Sequence, residues 1–166
     1  EQSIEELNRE CLEKIEYCKK KNEQNKLIYQ INIENAKKGD EKAQYVIGYM
    51  YHKGKGVPKN YVKAADWYKK AAEHKNTKAL NNLAYLYQKG KGVNKDIHKA
   101  EQLLLKSAKQ GDDVACLNLG ILYQTGKLGT ANMEDAEYWY RKAMDKGNPT
   151  ATRIYRRIQS MEQKEN

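Results

Sequence analysis

Apolar residues recur at helical spacing along most of the chain. After Asp40, the positions Ala43, Ile47 and Tyr51 fall at i, i+4 and i+8, which is one face of an α-helix. After Asn60, a second helical face carries Ala64, Trp67, Tyr68, Ala71 and Ala72. Polar and charged residues fill most of the positions between them. Both segments are therefore predicted to be amphipathic helices with one buried side, and the aromatic residues of the second are expected in the core.

This pattern repeats with a period of 36 residues. Four alanines stand at that interval, and so do three glycines and three large side chains: Ala43, Ala79, Ala115, Ala151; Gly54, Gly90, Gly126; Trp67, Leu103, Trp139. A fixed period of this length indicates a stack of supersecondary units, each too small to bury its own apolar face. We predict an all-α protein, a right-handed α-solenoid of antiparallel helix pairs with repeats at 40–75, 76–111 and 112–147.

Capping residues and glycines mark the expected helix ends. Each repeat has a first and a second helix, and residues suited to N-caps precede them at equivalent positions. Those before the first helices are Asp40, Asn76, Asp112 and Asn148, and those before the second helices are Asn60, Asp96 and Asn132. The turn between the helices of the first unit is Gly54-Lys55-Gly56-Val57-Pro58. Gly48 lies inside a helix, where glycine costs about 1 kcal/mol, so we expect it to allow close approach of a neighbouring helix.

The two ends are expected to cap the array. Subtracting one period from the first unit makes residues 1–39 a degenerate N-terminal capping repeat, with Cys18–Lys21 in place of the turn. Its apolar positions would be Leu7, Cys11, Leu12 and Ile15 in one helix and Ile28, Ile31 and Ala36 in the other. Residues 148–166 are predicted to be a C-terminal capping helix and tail. There Arg156 takes the position of Gly48, which suits a helix with no further partner.

The repeat resembles the Sel-one-like repeat family, a relative of the tetratricopeptide repeat. The matching residues of the first unit are Ala43, Ile47-Gly48, Tyr51, Gly54, Gly56-Val57, Lys63-Ala64, Trp67-Tyr68 and Lys70-Ala71. The third unit departs, with Gly126–Thr130 in place of the glycine turn. The resemblance implies first helices lining a concave surface. Relatives act as adaptors in membrane-associated complexes, as secreted bacterial factors acting on hosts, and as immunity proteins that neutralise a cognate toxin.

Candidate chemistry is sparse in this sequence. The histidines His52, His74 and His98 occupy different positions in different units, and no metal-binding spacing occurs. We therefore predict no catalytic residue, no metal and no cofactor. In a continuous helix Cys11 and Cys18 would be about 10 Å apart, too far for a disulfide, so free thiols are expected.

Net charge and hydropathy bear on partners rather than on fold. The formal net charge is +9, which favours an acidic partner segment. Nucleic acid is the least favoured partner, because no arginine-rich run or RNA-binding motif is present. From the sequence we expect neither a signal peptide nor an apolar run of membrane-spanning length, and localisation stays open between periplasmic or secreted and cytoplasmic.

The predicted function is protein binding by a non-enzymatic adaptor or scaffold. On each first helix, some residues point away from the core seam and define the predicted site on the concave face: Lys42, Tyr45, Tyr49, Lys78, Asn81, Tyr85, Val114, Leu117 and Ile121. The first helix of the third repeat is apolar on all sides. This predicts that the helix is covered, either by neighbouring helices or by a partner. The alternatives are an immunity protein or a secreted host-interaction factor. RNA binding is less favoured than either.

Overall fold

The computed structural model describes the backbone of residues 4–165 and the side chains of residues 6 and 9–161. Within these limits the chain is all helical, without a strand. It forms α1 (Ile4–Lys37), α2 (Glu41–Lys53), α3 (Tyr61–Glu73), α4 (Thr77–Lys89), α5 (Ile97–Lys109), α6 (Asp113–Gln124), α7 (Met133–Asp145) and α8 (Pro149–Glu165). Each helix packs against the next, and the buried apolar side chains form two clusters, a small one from α1 and α2 and a large one that runs from α3 to α8.

The predicted N-caps are confirmed. The side chains of Asp40, Asn76, Asp112 and Asn148 accept hydrogen bonds from the backbone N–H of the four equally spaced alanines, at 2.7–2.9 Å. The caps of the second helices, Asn60, Asp96 and Asn132, accept equivalent bonds at 2.8–3.0 Å. Each bond satisfies an N–H that has no partner within its helix, so these residues fix where the helices begin.

The glycine inside the first helix has the predicted role. A Cβ at residue 48 would lie 2.7 Å from Cδ1 of Tyr68, and one at Gly120 would lie 2.5 Å from Cδ1 of Tyr140. Both rings are fully buried. Where the second repeat has Ala84, the equivalent of the tyrosine is the smaller Leu104. The two helices of each pair thus match small residues to large ones.

The tryptophans differ from the prediction. Trp67 and Trp139 are only half-buried, whereas the adjacent Tyr68 and Tyr140 lie wholly in the core. The Trp67 ring lies at the surface under the Lys70 ammonium, 4.3 Å from its centroid. The buried face of the second helix is centred on the tyrosine, which is one residue after the tryptophan. The reason is that the tyrosine ring fills the space next to the glycine of the first helix.

The turns between the two helices of each repeat have the same length, but their backbone geometry differs between repeats. Gly54 and Gly90 adopt positive φ and cap α2 and α4. In the third unit, α6 ends one position earlier and Thr125 caps it with ordinary helical φ and ψ. Leu128 of that loop packs against the core. The departure from the family pattern therefore changes the local turn and leaves the following helix in step.

The N-terminal segment contradicts the expected helix pair. No turn occurs at Cys18–Lys21, and α1 is a single helix of 34 residues. The predicted turn lacks glycine and proline, and Glu16 and Lys20 form an i, i+4 ion pair at 2.9 Å across it, so nothing interrupts the helix. Because the chain does not fold back, Cys11, Leu12 and Ile15 are exposed instead of buried. The predicted position of Leu7 lies outside the described side chains.

The second half of α1 does follow the repeat. A Cβ on Gly56 would collide with the backbone of Asn25, just as one on Gly92 would collide with the backbone of Tyr61, 36 residues later. Residues 25–37 therefore stand where a second helix belongs. Ala36 is buried there, but Ile28 and Ile31 are 37% and 59% exposed. We attribute this to the missing first helix that would have covered them.

Candidate functional site

A shallow groove runs across the first helices of the three repeats. Its central cavity has a volume of about 300 Å³. The lining comes from α2, α4 and α6: His52, Lys53, Asn81, Asn82, Tyr85, Val114 and Asn118. We call this the first-helix groove. The capped, equally spaced helices set its geometry, because they place equivalent residues of successive repeats side by side.

The structure brings together some of the predicted site residues and separates others. Asn81, Tyr85 and Val114 line the cavity, whereas Lys42 and Lys78 are exposed but do not line it. The remaining four are Tyr45, Tyr49 and Leu117, which are half-buried and pack against the core, and Ile121, which is exposed two turns beyond Val114.

Helix α6, the first helix of the third repeat, has apolar side chains that are exposed to solvent. Val114 is 45% exposed and Ile121 is 38% exposed, so neither neighbouring helices nor α8 cover them. Leu117, which lies between them in sequence, is partly covered and contacts the core. Val114 lines the same cavity as Tyr85, which is itself 38% exposed.

An aromatic cluster forms one end of the groove around His52. The imidazole is 8% exposed and is stacked on the Tyr85 ring, with centroids 5.8 Å apart and an interplanar angle of 17°. It meets the Tyr61 ring edge-on at 5.6 Å. Its Nδ1 lies 3.2 Å from the hydroxyl oxygen of Tyr68. Residues of α2, α3 and α4 thus meet here, and we call His52, Tyr61, Tyr68 and Tyr85 the aromatic corner.

Lysines surround the aromatic corner. The ammonium of Lys91 lies 5.1 Å from the Tyr61 centroid and 5.6 Å from that of Tyr85, and it donates a 3.4 Å hydrogen bond to the Tyr85 hydroxyl. Lys53 and Lys55 lie 6.0 Å and 5.1 Å from the Tyr49 centroid. Cation–π attraction holds these charges over the rings while leaving them in contact with water.

The titration behaviour follows from this arrangement. Burial lowers the pKa of His52, and the positive charges of Lys53, Lys91 and Lys59 lower it further, so the neutral imidazole is favoured. The pKa of Lys91 is raised, first by its hydrogen bond to Tyr85. This end of the groove therefore carries fixed positive charge above a neutral, buried histidine.

Side-chain amides form the floor of the groove. Asn82 donates a 3.2 Å hydrogen bond to the Tyr68 hydroxyl, and Asn81 donates a 2.8 Å bond to the Asp112 carboxylate. The Asn81 carbonyl oxygen is buried without a hydrogen-bond partner. Such an orphaned acceptor is costly.

The predicted site omits four residues that line the groove, and it omits Lys91 beside them: His52, Lys53, Asn82 and Asn118. Three of the four carried a usable signal. His52 follows Lys42, Tyr45 and Tyr49 on one helical face, and Asn82 and Asn118 stand 36 residues apart at one repeat position. No such signal exists for Lys91, because it lies in a turn and reaches the groove only through the packing of α3 on α4.

The groove offers donors, acceptors and apolar area but no evident catalytic set. Across the described side chains, no three of His, Cys, Asp and Glu converge in a way that could hold a metal ion. In the same part of the chain, no helix has both the length and the apolar character that crossing a bilayer requires.

Comparison with known proteins identifies the repeats. The Sel1 repeat pattern matches residues 41–76, 77–112 and 113–148. The chain is 40% identical over 53 residues to the chitin synthase regulator SKT5 of Saccharomyces cerevisiae, a stretch covering 32% of this chain and 8% of the yeast protein.

Solved structures show the same architecture. A Sel1 repeat protein of Oxalobacter formigenes matches with a TM-score of 0.65 and 38% identity, over 70% of this chain and 47% of the other. The protective antigen c5321 of uropathogenic Escherichia coli matches with a TM-score of 0.70 and 31% identity, over 76% and 27%. Helicobacter pylori cysteine-rich protein B matches with 0.64 and 26%, over 78% and 96%.

The chain thus spans less than a tenth of its yeast relative and less than half of two of the three structures. The fold is that of a protein-interaction scaffold, which is not typically enzymatic. Three consecutive pattern matches and the shared architecture lead to one conclusion: the chain belongs to the Sel1 repeat family, whose members are generally protein-interaction modules.

Proposed function

We propose that this protein binds a partner protein along the first-helix groove. The observation that carries the proposal is the exposed apolar surface of Tyr85, Val114 and Ile121 beside the amides of Asn81 and Asn82. Aromatic and aliphatic anchors surrounded by polar groups are the usual composition of an interface centre. An extended segment lying across α2, α4 and α6 would cover the apolar side chains and meet the amides.

The lysines at the aromatic corner favour an acidic segment. Among the described residues, no carboxylate pairs with Lys53, Lys55 or Lys91, so these charges are available to a partner. An acidic residue placed over the corner would gain attraction from Lys53 and Lys91, whose charges both act on His52. Rim charges of this kind mainly speed association, whereas the apolar contacts hold the complex together.

An adaptor, an immunity protein and a secreted host-interaction factor would use the same groove and differ in partner. The yeast relative is named a regulator of chitin synthase. That likeness covers 53 residues, so it supports an adaptor or regulator as the proposal without naming a partner. The identity of the captured protein would distinguish the three roles.

Site-specific photo-crosslinking tests the proposal. A benzoylphenylalanine replaces Val114 in the groove, and a matched variant carries it at Gln102, which is exposed on the second helix α5. Illumination in extract of the source cells should give a defined protein adduct from the Val114 variant and none from the Gln102 variant. Equal adducts at both positions, or an adduct at Gln102 alone, would place the interface elsewhere.

A further inference from the structure

The first half of α1 is a helix without a tertiary partner. Every described side chain from Arg9 to Gln24 is exposed, on all sides of the helix. A helical segment of this length is only marginally stable alone in water, because tertiary packing of one face usually supplies most of a helix's stability. Something that packs against this segment would therefore stabilise it.

One face of α1 shows where such packing would occur. Residues spaced alternately by four and three run along the whole helix, which is the seam of a coiled coil: Cys11, Ile15, Cys18, Asn22, Asn25, Tyr29, Asn32 and Ala36. The last four are half-buried or buried against the solenoid body, whereas the first four are exposed. The face that packs on α2 thus continues without a break into solvent.

Charge along the free segment is divided into two blocks. Residues 5–16 contain five glutamates against two basic residues, whereas residues 19–26 contain four lysines against one glutamate. Two copies of the segment aligned in the same direction would bring like charges together. Two copies aligned in opposite directions would bring the acidic block of each beside the basic block of the other.

We propose that the free part of α1 is a homodimerisation helix that pairs in antiparallel orientation with the same segment of a second copy. The seam residues Cys11, Ile15, Cys18 and Asn22 form the interface. A two-fold axis near the middle of the free segment makes the contact self-complementary and closed. With the axis midway between Glu16 and Tyr17, Ile15 of one copy lies beside Cys18 of the other, and Cys11 lies beside Asn22. The two copies of Cys18 are then offset by only about 4.5 Å along the helix axis. Cys11 and Cys18 are free thiols, and the third cysteine, Cys116, is buried elsewhere.

The seam is only moderately apolar, so the dimer is expected to be concentration-dependent. Light scattering on the reduced protein of residues 1–166 measures this directly. The mass should rise from the monomer value of 19.2 kDa towards twice that value as the concentration is raised. Ile15→Glu combined with Cys18→Glu should hold the protein at the monomer mass. Tyr17→Glu is the matched control, because Tyr17 is 64% exposed on the other side of the same helix, and it should leave the dimer intact.

Mild oxidation tests the orientation. An antiparallel pair should form covalent dimers through the two copies of Cys18, so Cys18→Ser should abolish them and Cys11→Ser should keep them. The reason is that the two copies of Cys11 then lie about 16 Å apart along the axis, beyond disulfide reach. A parallel pair would keep a covalent dimer in each single variant and would overturn the orientation. A wild-type protein that stays monomeric at every concentration, or a dimer that survives Ile15→Glu with Cys18→Glu, would overturn the proposal.

Discussion

Adding one methyl group at Gly120 should destabilise the protein, although alanine is the better helix former. The new Cβ would lie 2.5 Å from Cδ1 and Cε1 of Tyr140 and 3.0 Å from Cζ. Carbon atoms in contact normally stand about 3.5–4.0 Å apart, so the ring would have to move by about 1 Å. Tyr140 is fully buried and its hydroxyl donates a hydrogen bond to Gln124, which leaves little room for that movement.

The magnitude follows from two opposing terms. Overpacking in a core costs about 1–3 kcal/mol of stability. We expect a cost at the upper end of this range, because the new methyl group would be too close to three atoms of a rigid ring. Replacing glycine by alanine within a helix returns about 1 kcal/mol. We expect a net loss near 2 kcal/mol in the free energy of unfolding. For a chain of this size that lowers the melting temperature by roughly 4–8 °C, measured by circular dichroism or calorimetry.

A double-mutant cycle supplies the control. Tyr140→Leu alone should cost about 2 kcal/mol, because it opens a cavity and removes the hydrogen bond. Gly120→Ala with Tyr140→Leu recreates the alanine and leucine that the second repeat carries as Ala84 and Leu104. The double variant should therefore lose about 1–3 kcal/mol less than the sum of the single losses. Strict additivity, or a stabilised Gly120→Ala, would show that the helices of the pair do not meet as described.

Three further outcomes are expected. Lys75→Gly should raise the unfolding free energy by about 1 kcal/mol, because Lys75 has a φ of +62° where the other repeats use glycine; an unchanged or lower denaturant midpoint would contradict this. The folded state lowers the pKa of His52, so stability should be constant above the ordinary value of 6.5 and fall as the pH drops below it; His52→Gln should flatten that dependence in pH-resolved melting curves, and an equally steep loss would exclude His52 as its cause. In the native monomer, at low protein concentration, Cys11 and Cys18 should react rapidly with a maleimide while Cys116, buried and with a raised pKa, reacts slowly; equal rates in a mass-spectrometric time course would contradict the described packing.

The repeat body was predictable because its signals are local. An Asp or Asn that caps a helix bonds to an N–H three residues later, so position alone identifies it. Gly48 was informative for a similar reason, since a costly residue inside a helix implies a close neighbour. Both kinds of signal recur every 36 residues, which separates them from coincidence.

The N-terminal segment and the aromatic corner were not predictable in the same way. Subtracting one period supplied positions for Cys11 and Ile15, but the sequence between them and the body contains no residue that breaks a helix. The aromatic corner joins residues of three helices from two repeats. His52 meets Tyr61 and Tyr85 only after α3 and α4 have packed, and spacing along one helix cannot show that.

The measurement that most directly tests partner binding in the groove is a titration of the captured partner against matched surface variants. Val114→Asp with Ile121→Asp places two charges on exposed positions and leaves Leu117, which contacts the core, unchanged. The reference is Lys106→Glu with Lys142→Glu on the exposed face of the second helices. Both variants must first show wild-type melting curves.

We expect the groove variant to lose binding by at least tenfold, about 1.4 kcal/mol, while the outer-face variant binds like the wild type. Loss of binding in the outer-face variant, with a folded groove variant that still binds, would show that the partner does not bind in the first-helix groove.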